Sequence, residues 1–242
     1  MSFVIAFEFV ELALLVASGW FALDLYARRL RPHWSGHLTR RRLAVLLLLA
    51  LLVVGVKVSE DVLAEESGPI DTAVLWWIRG QVPSASGGFF ETVTRTGSAT
   101  VLLPIAMVGA AALLFRRRRF EAGLLVGSAV GATLVVYTLK TLVGRTRPAL
   151  WETQWYWGSS FPSGHTLSTA AFATAAALCV ARLWPRFGGV AMALALAWLS
   201  LVALSRLVLG VHWPSDVLAA ACIGAFIPLA ASLTFDLRHD RA

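Results

Sequence analysis

Phe161-Pro162-Ser163-Gly164-His165 interrupts an otherwise apolar chain and opens a helix-length run, 166–181. Proline, serine and glycine in this order read as a helix start, where backbone N–H groups lack intrahelical partners. Such an end attracts an anion such as phosphate. Two further polar clusters flank it. Upstream is Lys140-Thr-Leu-Val-Gly-Arg-Thr-Arg147-Pro148, and downstream Ser205-Arg206-Leu-Val-Leu-Gly-Val-His212-Trp-Pro-Ser-Asp216. Elsewhere the chain is mostly apolar, so the chemistry is expected in these three clusters.

The 242 residues are 58% hydrophobic and 14% charged, with a mean hydropathy of +0.72. A soluble domain carries roughly a quarter charged residues, so the apolar excess is expected to face lipid. The net charge is +7, but the arginines gather at the ends of apolar runs. That is the pattern of membrane orientation, and nucleic acid is not an expected partner. Cys179 and Cys222 lie inside apolar runs without metal-ligand spacing, and are expected to be small packing residues. The N-terminus has no basic region, and its apolar stretch contains Glu8 and Glu11, so a cleaved signal peptide is not expected.

Seven apolar stretches are long enough to cross a core of about 30 Å: roughly 3–26, 43–58, 99–115, 121–139, 165–182, 188–206 and 215–235. The second is short, with Arg42 and Lys57 placed to snorkel from its ends. Positive charge marks four connecting regions: the linker 27–42, the turn Arg116 to Arg119, Arg182 with Arg186, and Arg238 with Arg241. Seven spans put all four on one side, read as the cytoplasm, with the N-terminus outside. The segment 59–98 then falls outside with Glu60, Asp61, Glu65, Glu66, Asp71 and Glu91. Pro69, Pro83, Gly87 and Gly88 break it, so it reads as one or two short interfacial helices with Trp76 and Trp77 embedded.

This topology brings the three polar clusters to one outer face. Trp151, Trp155, Tyr156, Trp157 and Trp213 flank them, as an aromatic belt or as contacts to a lipid. Glu8 and Glu11 share a helix face, and a position near the outer interface accounts for them. His33 and His37 lie in the Arg-rich linker with no acid beside them, which makes no metal site.

Lys140 and Arg147 are seven apart, two turns if the fourth span continues that far, and Arg145 falls on a different face. Pro148 would end that helix. An arginine fork suits the oxygens of a phosphoryl group, and lysine adds a point charge. Ser163 and Gly164 offer a hydroxyl and backbone N–H groups, with His165 beside any anion held there. His212 and Asp216 are four apart, so the carboxylate can reach one ring nitrogen and leave the other as a nucleophile. Arg206 adds a third cation. Two histidines permit a division of labour, one attacking phosphorus and the other protonating the leaving oxygen.

Lys140–(six residues)–Arg147-Pro148, Pro162-Ser163-Gly164-His165 and Ser205-Arg206–(five residues)–His212–(three residues)–Asp216 together resemble the tripartite signature of the type 2 phosphatidic acid phosphatase superfamily. The signature covers residues 140–216, and weaker likeness extends upstream to Asp71 and Thr96-Gly97-Ser98. The resemblance implies an all-α polytopic transmembrane bundle, with a six-helix phosphatase domain over residues 43–242. The span and Arg-rich linker of residues 1–42 depart from the six-span pattern. It also implies that His212 forms a phosphohistidine, that Asp216 orients it and that His165 is the general acid. Lys140, Arg147, Ser163, Gly164 and Arg206 would hold the phosphoryl oxygens, with no metal and no cofactor.

The expected function is removal of phosphate from a lipid phosphate or pyrophosphate at the outer leaflet of the plasma membrane. Candidate substrates are undecaprenyl pyrophosphate, phosphatidylglycerol phosphate, phosphatidate and lipid A phosphate. A lipid phosphotransferase would use the same nucleophile. A vanadate-dependent haloperoxidase would use the same anion pocket, but those relatives are soluble. A transporter would place its charges at mid-membrane and not at one face.

Overall fold

The computed structural model describes residues 2–153 and 158–239. Ten helices are described: α1 (Ser2–Leu30), α2 (Pro32–Arg40), α3 (Arg42–Leu63), α4 (Gly68–Gln81), α5 (Gly87–Thr96), α6 (Ala99–Phe115), α7 (Arg119–Val143), α8 (Gly164–Leu183), α9 (Gly188–Val208) and α10 (Pro214–His239). Short 3₁₀ turns at Ser84–Ser86 and Pro185–Phe187 complete the order. No strand occurs among the described residues. Seven segments are long and apolar enough to cross a membrane: Glu8–Leu30, Arg42–Leu63, Gly87–Phe115, Arg119–Val143, Gly164–Leu183, Pro185–Val208 and Pro214–Arg238.

The bundle is organised around α8. Its sequence is rich in small residues, and Ala170, Ala171 and Ala175 are wholly buried. Association of helices in lipid depends on close packing, which small side chains permit. On α10, a Cβ added to Gly224 would stand 2.4 Å from the Leu167 carbonyl oxygen, so any side chain there would separate α10 from α8. Ala106 of α6, Leu124, Leu125 and Ala129 of α7, and Ala175 and Cys179 of α8 form one core cluster. Ala132, Leu167, Ala171 and Ala220 join α7, α8 and α10 in another. Cys179 and Cys222 are buried and unpaired with each other, as packing residues should be.

α1 sits at the periphery. Its Ala27 packs with Leu38 and Val45, and Trp20, Leu23 and Leu49 close around them. Phe9, Leu14 and Phe21 remain 62–69% exposed, the face that a bilayer would cover. At that end of the bundle Arg41 reaches Asp236 at 3.0 Å, and Asp236 takes Arg182 at 2.7 Å. Arg182 also lies over the Phe120 and Phe235 rings.

Two element boundaries differ from the sequence reading. The second span is not short: α3 runs through Glu60 and Asp61 to Leu63, with Lys57 paired to Asp61 one turn on at 3.4 Å. The fourth span stops before the first polar cluster is complete. α7 ends at Val143, and Gly144 takes the left-handed conformation, φ 67°, that glycine accepts without a Cβ penalty. The helix is therefore ended by Gly144 and not by Pro148, and Arg147 lies beyond it.

Of the segment 59–98, the first residues complete α3 to Leu63, and the rest forms two short helices, α4 and α5, broken as the Pro and Gly punctuation implied; α5 continues with α6 in the apolar stretch Gly87–Phe115. α4 buries Asp71, Leu75 and Ile78 on one stripe and exposes Ile70, Trp76 and Trp77 on another. Trp155, Tyr156, Trp157 and Arg241 fall outside the described residues, as do the side chains of His33 and His37.

Candidate active site

Chain order alone brings the clusters together. The C-terminal end of α7, the N-terminal end of α8, the C-terminal end of α9 and the N-terminal end of α10 meet at one end of the bundle. There a pocket of about 350 Å³ is lined by Lys140, Arg147, Gly164, His165, Arg206 and His212, with Thr133, Val136 and Ser168 below them.

His212 lies in the short connection between α9 and α10 and is 2% exposed. Its Nε2 stands 3.3 Å from Arg147 Nη1, and its Nδ1 stands 3.5 Å from Asp216 Oδ2. Burial is the main influence on this imidazole and pushes it down to about 3, with Arg206 and Arg147 adding to the effect and Asp216 opposing it. His212 is therefore neutral near pH 7, with a lone pair on Nε2 that faces the Arg147 guanidinium, the form a nucleophile needs. Asp216 is wholly buried behind it, at the first turn of α10. The Asp216 carboxylate also accepts the Trp213 N–H at 2.9 Å.

The cations reach the pocket from three directions. Lys140 donates from α7 to the Ser159 carbonyl. Arg147 donates to the Val211 carbonyl at 2.7 Å, which pins its guanidinium to the loop that carries His212. Arg206 is 1% exposed, one of the largest wholly buried side chains, and donates to Thr94 Oγ1 of α5 at 2.7 Å. A buried guanidinium held this way is a fixed donor, which costs no reorganisation when charge develops on a bound oxygen.

Gly164 and His165 open α8 at the pocket wall, as the Pro-Ser-Gly start implied. Ser163 is placed differently from the other predicted contacts. It is wholly buried, its hydroxyl lies 3.0 Å from Thr166 Oγ1, and its N–H donates to the Asp216 carbonyl at 3.3 Å. It ties α8 to α10 beneath the pocket and does not line it.

Sequence reasoning missed Arg145. Its guanidinium turns away from the pocket and donates to Asp216 Oδ1 at 2.6 Å, Ser215 Oγ at 2.8 Å, Asp71 Oδ2 at 2.8 Å and Ser67 Oγ at 2.9 Å. Asp71, 2% exposed, also accepts the Ser215 N–H and hydroxyl. Trp213 is likewise built into this end: its indole N–H donates to the Thr146 carbonyl at 3.0 Å and its ring lies 5.7 Å from the Arg145 guanidinium.

Among the described residues, no group of three or more His, Cys, Asp or Glu is placed to hold a metal ion. The pocket offers cations, imidazoles and backbone donors, a set suited to an anion with several oxygens. One neutral imidazole faces that anion site, and a second imidazole, His165, lies on the same pocket wall. Such a pair can attack phosphorus and protonate the departing oxygen.

The family model of the PAP2 superfamily matches residues 121–240. Phosphatidylglycerophosphatase B of Escherichia coli K12 is 46% identical over 66 residues, 27% of this chain and 25% of that protein. Decaprenylphosphoryl-5-phosphoribose phosphatase of Mycobacterium tuberculosis is 36% identical over 130 residues, 52% of this chain and 66% of that protein. The chain thus spans a quarter to two thirds of the length of these curated relatives. The crystal structure of a transmembrane PAP2 type phosphatidylglycerolphosphate phosphatase from Bacillus subtilis superposes with a TM-score of 0.68. It is 24% identical, and the match covers 82% of this chain and 98% of that one.

Proposed function

From the premise that this chain belongs to the PAP2 superfamily, we propose that it is an integral membrane lipid phosphatase acting through a phosphohistidine. The observation that carries this reading is the buried His212 imidazole, with Asp216 3.5 Å from Nδ1 and Arg147 3.3 Å from Nε2. The substrate is a lipid phosphate or pyrophosphate, taken at the outer leaflet of the plasma membrane, with the C-terminus in the cytoplasm. The Arg-rich connections at the opposite end of the bundle support that orientation.

In the first step His212 Nε2 attacks phosphorus, the P–N bond forms and the bond to the leaving oxygen breaks. His165 supplies the proton to that oxygen, and Asp216 balances the charge on the His212 ring through Nδ1–H. In the second step water attacks the phosphohistidine, His165 takes the proton, and inorganic phosphate leaves with His212 neutral again. Lys140, Arg147 and Arg206 hold the three equatorial oxygens, together with the backbone at Gly164. No metal or cofactor has a part in these steps.

The test is phosphate release by the purified protein in detergent from four lipids: phosphatidylglycerol phosphate, phosphatidate, undecaprenyl pyrophosphate and lipid A. Release from at least one, lost in His212→Ala, is the expected result. Wild-type protein that releases phosphate from none of them, or that moves it to another lipid without release, would overturn the hydrolase reading.

A further inference from the structure

The structure assigns Arg145 a positioning part in the reaction proposed above: it holds Asp216 so that its second oxygen stays turned to His212. The inference rests on that reading for its kinetic part and on geometry alone for its structural part.

Arg145 lies between Lys140 and Arg147 in sequence, yet it does not line the pocket. α7 has ended, Gly144 has turned the chain, and the side chain points behind the catalytic pair. Its two terminal nitrogens divide their work. Nη1 holds Asp216 Oδ1 and Ser215 Oγ, both on α10, and Nη2 holds Asp71 Oδ2 and Ser67 Oγ, at the start of α4. A planar fork with fixed donors can do this; a lysine point charge cannot bridge both sides at once.

The consequence falls on Asp216. With Oδ1 taken by Arg145 and Oδ2 receiving the Trp213 N–H, the carboxylate plane is fixed, and Oδ2 is the oxygen 3.5 Å from His212 Nδ1. A carboxylate that holds an imidazole sets which ring nitrogen carries the proton. The Arg147 Nη1 donor 3.3 Å from Nε2 calls for a lone pair there as well, so the proton is assigned to Nδ1. Asp71 and Asp216 are both buried, and the guanidinium between them also offsets the repulsion between two carboxylates. Arg145 thus joins the surface helix α4 to the group that orients the nucleophile, through 71- and 74-residue separations in sequence.

The experiment compares wild type with Arg145→Gln, Arg145→Lys and Asp216→Asn, using ¹⁵N-histidine NMR in detergent and phosphate release with vanadate inhibition. In wild type His212 is expected as the Nδ1–H tautomer, and in Arg145→Gln as a mixture of tautomers. Loss of an outer partner of this kind costs on the order of 10- to 100-fold in rate, expected in kcat. KM and the vanadate inhibition constant should stay within about threefold, because Lys140, Arg147 and Arg206 are untouched. Arg145→Lys should recover part of kcat. In an Asp216→Asn background, adding Arg145→Gln should cost less than about threefold more, since the two act in series. A residue that only staples α4 would leave the tautomer unchanged, and its cost would multiply with that of Asp216→Asn; either result overturns the assignment. If Arg145→Gln does not fold, Arg145→Lys carries the same comparison. An inactive wild type would count against the phosphatase reading, while the tautomer comparison would still decide the placement of Asp216.

Discussion

Arg147 Nη1 stands 3.3 Å from His212 Nε2 and 2.7 Å from the Val211 carbonyl oxygen, so the guanidinium is fixed by the loop that carries the imidazole. A lysine at 147 would keep the charge and lose the planar pair of donors. Arg147→Lys is therefore expected to lower kcat/KM by about 10²–10³, or ~2–4 kcal/mol, the scale of one fixed donor to a developing oxyanion. Phosphate-release kinetics check it, and a variant within threefold of wild type would remove Arg147 from the set of phosphoryl contacts.

The two histidines should fail differently. His212→Ala removes the proposed attacking nitrogen and the imidazole that Asp216 backs, so turnover should vanish for every substrate. His165→Ala removes the proton donor to the leaving oxygen, which matters least when that oxygen is already a good leaving group. Residual activity should then be higher on a pyrophosphate than on a phosphate monoester. Equal losses of His165→Ala activity on both substrate types would remove the general-acid role.

The placement of His165 and His212 at one pocket was readable from the chain because their spacing is local: His212 and Asp216 are four apart, and a helix start follows Ser163. Arg145 was not readable as a partner of Asp216. Spacing along an assumed helix put it on a face away from Lys140 and Arg147, and the helix in fact ends at Val143. Gly144 was the available signal, because glycine after a helical run is the common stop. The other half of the network lies 74 residues upstream. Asp71 is in register with Leu75 and Ile78, four and seven residues on, so it sits on a buried stripe. A carboxylate on such a stripe requires a cation or several donors, but only the folded chain names Arg145 and Ser215. The Ser163 hydroxyl, expected at the phosphate, pairs with Thr166 because a helix N-terminus also offers partners within its own first turn.

Acid should destabilise the protein through His212. Its folded value, pushed down to about 3 by burial, lies below the roughly 6.5 of an unfolded histidine. The unfolded chain therefore binds the proton first. The stability that depends on a neutral His212 is complete above about pH 6.5, shrinks as pH falls, and is gone at about pH 3. Thermal unfolding in detergent, followed from pH 7 to pH 4, should show a steeper fall for wild type than for His212→Gln. Parallel curves for the two proteins would mean that His212 titrates alike in both states.

The proposed orientation rests on charge and can be probed on loops that lie at opposite ends of the bundle. Glu66 lies between α3 and α4 at the end that carries the pocket, and Arg116 between α6 and α7 at the other. Arg116 belongs to a run of four arginines, which favours the cytoplasm. In whole cells an impermeant thiol reagent should modify Glu66→Cys and not Arg116→Cys, with native Cys179 and Cys222 buried in the spans. The reverse pattern would put the pocket on the cytoplasmic face.

Vanadate should inhibit, and chelators should not. Lys140, Arg147 and Arg206 line the same pocket as His212, three positive charges around one anion site. The nearby carboxylates are committed elsewhere: Asp216 to Arg145, Trp213 and His212, and Asp71 to Arg145 and Ser215. Charge on the transferring phosphoryl group is then offset by side chains, and activity should survive EDTA unchanged. A trigonal-bipyramidal vanadate would mimic phosphorus under in-line attack by His212, so it should bind more tightly than phosphate does. Arg206→Ala should weaken vanadate more than it weakens phosphate, because a buried pocket-lining donor held by Thr94 contributes most to the species that resembles the transition state. Phosphate release with EDTA, with vanadate titrated in, and with Arg206→Ala alongside makes the comparison. Activity that disappears in EDTA and returns with Mg²⁺ would transfer the charge stabilisation from these three residues to a metal ion.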